Sequence, residues 1–217
     1  LLDSQRIAVM PGESFGPSAA GVVRVALTLP DDLLAEALGL GPGVLCLDTA
    51  CASSLYAIKT ACNQLHDGKA DLALAGAVNC ADDLFIHVGF TALGALSPSG
   101  SSRPFHAAAD GLLPAEGAAF VALKRLEDAR RDGDRIHGVI RGVGLSNDGR
   151  GRGFLAPSKE GQQRALEQAY EVAGIRPEQV SLLECHATGT AVGDATEISS
   201  TATVYENCRD VPIGSLK

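Results

Sequence analysis

No two cysteines in this chain are spaced as Cys-x-x-Cys, no tryptophan occurs, and no apolar run is long enough to span a bilayer. The first absence argues against a zinc site, so no metal is expected. The third argues against a membrane protein, and the opening "LLDSQRIAVMPGES" lacks the basic start and apolar core of a signal peptide. Surplus positive charge is missing too. With a net charge of -8 and a pI near 5.1, no excess of Lys and Arg is available to neutralise phosphates, which excludes electrostatic capture of nucleic acid or of an anionic membrane. An acidic partner would need a local basic patch. The expected compartment is therefore cytoplasmic, and the six cysteines read as reduced thiols rather than a disulfide framework. An initiator methionine is lacking as well, and the chain stops on the strand-like "VPIGSLK", which reads as a cut made inside a larger protein.

What is present is an ordinary globular composition, 46% hydrophobic and 20% charged over 217 residues. Alternating strand and helix signals favour a layered α/β architecture. "GVLCLD" reads as a buried strand. From Ser53 the apolar positions Leu55, Ile58, Cys62 and Leu65 follow helical spacing up to Gly68. "DLALAGAV" is a second strand, "LFIHVGFTALGAL" fits helix or strand, and "SPSGSSRPFHAAADG" is a long loop. "GAAFVALKRL" and "IHGVIRGVGL" carry strand signals, with the charged helix "LEDARRDGD" between them. Ser158 caps a helix through Leu166, Ala169, Tyr170 and Ala173 that Gly174 closes. Then follow the strand "SLLECH", the loop "ATGTAVGDA", a helix through "TEISSTATVYE" and a last strand "VPIGS". No repeat or linker divides the chain.

In "VLCLDTACASSLYAIKTAC", Cys51 stands where strand gives way to helix. A helix start offers unpaired N–H groups and a partial positive charge, which favour a thiolate and can bind an oxyanion. The small neighbours Ala50, Ala52 and Ser53 leave room for a substrate carbonyl. Residues alone leave Cys51 open between nucleophile and small core residue. Cys46 on the apolar strand, Cys62 on the helix stripe, and Cys80, Cys185 and Cys208 read as core thiols. In "LLECHATGT" His186 follows an apolar strand and opens a Gly and Thr loop, a position from which imidazole reaches a cavity. A hydrogen-bonded structural role is the competing reading. It is the assigned one for His66, His87, His106 and His137, with His66 and His137 facing solvent.

The ordered motifs "DTACASSLYAI", "PFHAAADGLLPAEGAAFVALKRL", "GVGLSNDGRG", "LAPSKEGQQRAL", "ECHATGTAVGDATE" and "IGSLK" resemble the β-ketoacyl synthase domain of polyketide synthases and related fatty acid synthases. "LYAIK", "PAEGAAF" and "ECHATGT" look closest to the iterative polyunsaturated fatty acid synthases. The resemblance begins near Gly43. It implies a thiolase-like fold of layers α, β, α, β, α, present here as the middle portion of one ketosynthase domain over residues 1–217, and a homodimer in the parent enzyme. It implies an acyltransferase that performs decarboxylative Claisen condensation. Cys51 would take the acyl chain as a thioester from an acyl carrier protein, and His186 would help malonyl-carrier lose carbon dioxide. Thr188 and Thr190 match the threonines that hold the phosphopantetheine arm, Lys217 the lysine of "G-S-x-K-S-N-x-G-H", and Glu116 a glutamate of the supporting polar network. Lys217 and Glu116 read equally as a structural ion pair. Asp194 and Glu197 would fix the loop and the helix start, and Phe90 would line an acyl pocket or fill the core. No cofactor is expected beyond the phosphopantetheine of the carrier, and the other partners are further domains of a multidomain synthase.

Three positions depart from the family pattern: Ala187 in place of Gly, His106 in place of Asp, and "LPAEG" in place of "GRGEG". The family's second active-site histidine lies beyond Lys217, so the isolated polypeptide is expected neither to condense carbon chains nor to fold stably. Rival readings are a non-decarboxylating thiolase, a noncatalytic chain-length partner and a papain-like protease. The protease rests on the 135 positions between Cys51 and His186, inside the roughly 130–150 of that class. It lacks the "C-G-S-C-W" surroundings and any tryptophan.

Overall fold

The computed structural model describes residues 9–11, 23–25, 45–81, 84–150, 156–208 and 210–216. Internal contacts divide the chain into two units, Leu1–Ala57 and Ile58–Lys217. In the first, β1 (Val9–Pro11) and β2 (Val23–Val25) form an antiparallel ribbon with Val9 opposite Val25. Residues 45–49 have no regular structure and lead through a 3-10 turn, Ala50–Ala52, into α1 (Ser53–His66). The strand expected from "GVLCLD" is thus absent over 45–48, while Gly43 and Val44 lie outside the described residues. An extended run becomes a strand only by pairing its N–H and C=O groups, and no described residue pairs with this one. Cys46 is accordingly exposed rather than a core thiol.

α1 ends where the sequence marks it. Gly68 takes the left-handed φ of +68°, and the N–H groups of Lys69 and Ala70 turn back to the carbonyl of Gln64. Its buried stripe is narrower than the apolar spacing implies: Ala61 and Leu65 are buried, whereas Leu55 is 54% exposed.

In the second unit β3 (Ala73–Asn79) and β4 (Gly117–Leu123) pair antiparallel along their full length. Gly76 faces Phe120, and a Cβ there would collide with the ring and with the Ala119 carbonyl, so glycine lets the aromatic lie across the strand. "LFIHVGFTALGAL" resolves as helix α2 (Leu84–Ala92), closed by Gly94 at φ +61°. α3 (Leu126–Asp132) follows β4 at once. Arg125, just before it, donates to the carbonyls of Leu65 and Ala70, both at 2.8 Å, and to Asp128. That one guanidinium ties the exit of α1 to the entry of α3.

α4 (Lys159–Ala173) has the expected caps, Ser158 accepting from the Gly161 N–H at 3.0 Å and Gly174 at φ +63°. β5 (Leu183–Glu184) and β6 (Ile213–Gly214) pair in parallel, and between them runs α5 (Ala191–Val204). α5 starts earlier than the sequence suggests, inside the small-residue loop, because Thr190 caps it by accepting the Gly193 N–H at 3.2 Å. α4 and α5 join through Tyr170 and Tyr205, hydrogen-bonded and edge to face with ring centroids 6.1 Å apart. Burial and the Tyr170 hydroxyl push the Tyr205 phenol well above its ordinary pKa.

"IHGVIRGVGL" forms no strand. It lies along α4 instead: Cβ atoms on Gly142 or Gly144 would collide with the carbonyls of Ala169 and Ala165. The Leu145 N–H donates to Gln168 Oε1 at 2.7 Å, and Arg141 donates to the Ala173 carbonyl at 3.2 Å. Glycine spacing there serves approach to a helix rather than a ladder.

Candidate active site

The backbone turns sharply just before Cys51. Ala50 has φ +52°, a left-handed conformation unusual for a residue with a Cβ. Local hydrogen bonds hold it there. The Ala50 N–H donates to Asp48 Oδ1 at 2.8 Å, the Ser53 hydroxyl donates to the Ala50 carbonyl at 2.7 Å, and the same hydroxyl accepts the Thr49 N–H at 3.0 Å. Cys51 follows on the 3-10 turn with its side chain exposed. Two residues later the α-helix begins. A tight turn into a helix start presents a side chain outward with helix N–H groups behind it, the geometry that suits a nucleophile.

His186 belongs to the second unit, two positions beyond the end of β5, and is exposed. Its backbone is held by Glu197 on α5: Oε1 accepts the His186 N–H at 2.6 Å and Oε2 the Ala187 N–H at 2.8 Å. Ala187 is 1% exposed, with φ +48°. Beside it Asp194, in the first turn of α5 and 7% exposed, accepts from the N–H groups of Phe105 at 2.7 Å and Gly189 at 3.0 Å. Gly111 adds a further tie, its N–H donating to the Gly189 carbonyl at 3.0 Å. The expected role of Asp194 and Glu197 in fixing the loop thus matches their hydrogen bonds.

Thr188 and Thr190 touch, hydroxyl to hydroxyl, at 2.9 Å. Thr188 Oγ1 donates to Asp194 Oδ1 at 3.4 Å. Either hydroxyl can supply the proton between the two threonines. Thr188 Oγ1 also accepts the Thr190 N–H at 3.3 Å.

Glu116 lies just before β4, where its Oε1 accepts from the Cys80 thiol at 3.4 Å; the neighbouring Ala115 carbonyl accepts from Asn79 Nδ2 at 2.6 Å. Cys80 is exposed, against the core reading. The structure so brings together His186, Thr188, Thr190, Asp194 and Glu197, and places Glu116 at the end of the β3–β4 pair. Cys51 is in the other unit, and Lys217 lies outside the described residues. Cys185 is buried, and burial, followed by the charges of Glu197 and Glu184, pushes its thiol up to about 11. Cys62 and Cys208 are partly buried. His66, His87, His106 and His137 are exposed, and Phe90 is half-buried. His87 Nε2 is 2.7 Å from the Ala81 carbonyl, and His106 Nδ1 accepts the Ala108 N–H. Among the described residues no cluster of His, Cys, Asp and Glu is placed to hold a metal ion, and no helix is long and apolar enough to cross a membrane.

Sequence reasoning missed two positions. Phe105, at φ +60°, and Ala187 are left-handed without being glycine. Only the Ala for Gly substitution at 187 signals either.

Residues 33–129 match the β-ketoacyl synthase N-terminal domain and residues 137–217 the β-ketoacyl synthase C-terminal domain. Over 197 residues the chain is 44% identical to a mycocerosic acid synthase-like polyketide synthase of Mycolicibacterium smegmatis, a match that covers 91% of this chain and 9% of that protein. Among solved structures it superposes on the oxazolomycin ketosynthase domain of Streptomyces albus JA3453 with a TM-score of 0.82 and 34% identity, covering 86% of this chain and 33% of that one. It superposes on the PfaC keto synthase–chain length factor at TM-score 0.81 and 45% identity, covering 85% of this chain and 20% of that one.

Proposed function

Because the chain belongs to the β-ketoacyl synthase family, with the thiolase-like α/β fold of ketosynthase domains, we propose that it serves decarboxylative carbon–carbon condensation within a larger polyketide or fatty acyl synthase. The Cys51 thiolate attacks the carbonyl carbon of an acyl thioester carried on the phosphopantetheine of an acyl carrier protein. The carrier's C–S bond breaks, its sulfur leaves as a thiolate that takes a proton from solvent, and the acyl group rests on Cys51. A malonyl-carrier then loses its carboxylate as carbon dioxide, and the electron pair left behind forms a thioester enolate. His186 donates an imidazole N–H to the enolate oxygen, which lowers the cost of that charge. The enolate carbon attacks the acyl carbonyl, the new C–C bond forms, and the bond to Cys51 breaks to regenerate the thiolate.

Thr188 and Thr190 receive the pantetheine arm, which is neutral near the thioester and so takes hydroxyl contacts rather than charge. Glu116 and Lys217 support the site. The domain works as a homodimer in the cytoplasm, with no bound cofactor of its own.

The observation that carries this reading is the exposed Cys51 on its left-handed turn at a helix entry, in a chain whose two halves match the two halves of one synthase family. In the full-length protein, Cys51→Ala abolishes acyl loading followed by intact-mass spectrometry; loading that persists overturns the nucleophile assignment. His186→Ala keeps loading and lowers condensation roughly 100-fold or more, the loss expected for one donor to a developing oxyanion. Equal loss of both steps assigns His186 to structure instead.

A further inference from the structure

We infer that Glu197 is a positioning residue for His186, acting through the His186–Ala187 peptide, and that the left-handed backbone at Ala187 makes this hold necessary. The inference rests on the role proposed for His186.

An L-residue at φ +48° brings its Cβ against the backbone, so the peptide around Ala187 is inclined to relax into another conformation. Ala187 is 1% exposed, and relaxation there would rotate the preceding peptide, on which the His186 imidazole is mounted. What opposes this is one carboxylate with one oxygen per donor, 2.6 Å to the His186 N–H and 2.8 Å to the Ala187 N–H. Both bonds are charge-assisted, the stronger kind.

The carboxylate in turn stands on a fixed base. Its helix is capped by Thr190. At the far side of the same turn the Ser200 hydroxyl, in a side chain 1% exposed, lies 2.9 Å from the Glu197 carbonyl and 2.6 Å from Gln162 Oε1 on α4. The reach from α5 to His186 is therefore set by packed helix rather than by loop.

The two N–H groups demand two acceptors. Glutamine has the same shape but offers one acceptor oxygen and an NH2 group, so one of the two N–H groups would face another donor. Glycine at 187 removes the Cβ and with it the reason the peptide needs holding.

The test compares Glu197→Gln with the double variant Glu197→Gln/Ala187→Gly in the full-length protein. Acyl loading on Cys51 is read by intact mass, condensation by product formation, and the Cys185–Thr190 peptide by hydrogen exchange. In Glu197→Gln, loading stays within about twofold while condensation falls about tenfold or more, the size of one lost charge-assisted hydrogen bond. Exchange in that peptide speeds up, and the double variant recovers condensation several-fold. Faster exchange with undiminished condensation overturns the positioning role. A matched fall in loading and condensation that Ala187→Gly does not relieve also overturns it, since a general structural support behaves that way. If the parent itself loads no acyl group on Cys51, the proposed function fails; the exchange comparison still decides whether Glu197 holds the peptide, and unchanged exchange overturns that hold independently.

Discussion

The N–H of Phe105 donates to Oδ2 of Asp194 at 2.7 Å, joining a loop to the first turn of α5, 89 positions further along the sequence. Asp194 also takes the Gly189 N–H and the Thr188 hydroxyl, so one buried carboxylate satisfies donors from two loops. Asp194→Ala strips all three at once. Local stability falls by about 2–4 kcal/mol, the cost of buried donors left unpaired. Asp194→Asn keeps one acceptor oxygen and loses about half of that. Hydrogen exchange checks it: the peptides holding Phe105 and Gly189 loosen together, and loosening of only one contradicts the bridge.

Gly144 and Gly138 stand six positions apart in the same run yet differ in what a methyl group would meet. At Gly144 it collides with the Ala165 carbonyl and the Ala169 backbone of α4; at Gly138 nothing lies within 4 Å. Gly144→Ala destabilises by about 1–3 kcal/mol, the usual range for overpacking against atoms that cannot step aside. Gly138→Ala leaves the unfolding midpoint unchanged. Urea denaturation of both variants tests the placement of this segment along α4.

Stability has a limb at each end of the pH scale. Hydrogen bonds from Arg125 and then Arg131 hold the Asp128 carboxyl below its usual 3.8, and Lys124 followed by Arg131 does the same for Asp132. A folded-state pKa below the unfolded one gives stabilisation that is complete above the unfolded value and is lost as pH falls through the folded one, hence below about pH 4. Cys185 runs the other way. Its thiol titrates near 11 when folded against 9.0 unfolded, so its share is complete below pH 9.0 and fades as pH rises toward 11. Unfolding midpoints against pH show both limbs. Asp128→Asn makes the acid limb shallower, with Asp132 still contributing, and Cys185→Ala makes the alkaline limb shallower, with the Tyr205 phenol still contributing.

Thiol exposure gives a direct readout. Iodoacetamide at neutral pH labels the exposed Cys46, Cys51 and Cys80 and spares the buried Cys185. Prior loading with an acyl substrate protects Cys51 alone among the exposed three. Peptide mass mapping distinguishes the sites, and protection of Cys80 in place of Cys51 would move the nucleophile.

Legibility in the sequence followed how local the cause was. Helix ends were readable because their causes sit within a few residues: Ser158, Gly174 and Gly68 each cap as their side chains, or lack of one, dictate. "GAAFVAL" was readable because its apolar run meets an equally apolar partner in "ALAGAVN". Residues 45–48 of "GVLCLD", and "IHGVIRGVGL", carry apolar strand signals without a ladder, and composition cannot report whether a partner strand is at hand. The site divided likewise. Junctions drew attention to Cys51 and His186 without deciding their roles, and Asp194 and Glu197 entered only through the family resemblance. The left-handed Phe105 was invisible, its N–H being held by a carboxylate 89 positions away, and Ala187 was marked only by standing where the family has Gly.

The threonine pair can run its shared proton in either direction. If Thr190 gives it to Thr188, the Thr188 hydrogen turns to Asp194 and one Thr190 lone pair stays open beside the Gly193 N–H. If Thr188 gives it, Thr190 holds two hydrogens as acceptor and its own hydrogen is free to point outward. The corner is thus a reversible contact, able to take a hydrogen or to give one, and a visitor's own chemistry sets which way it runs.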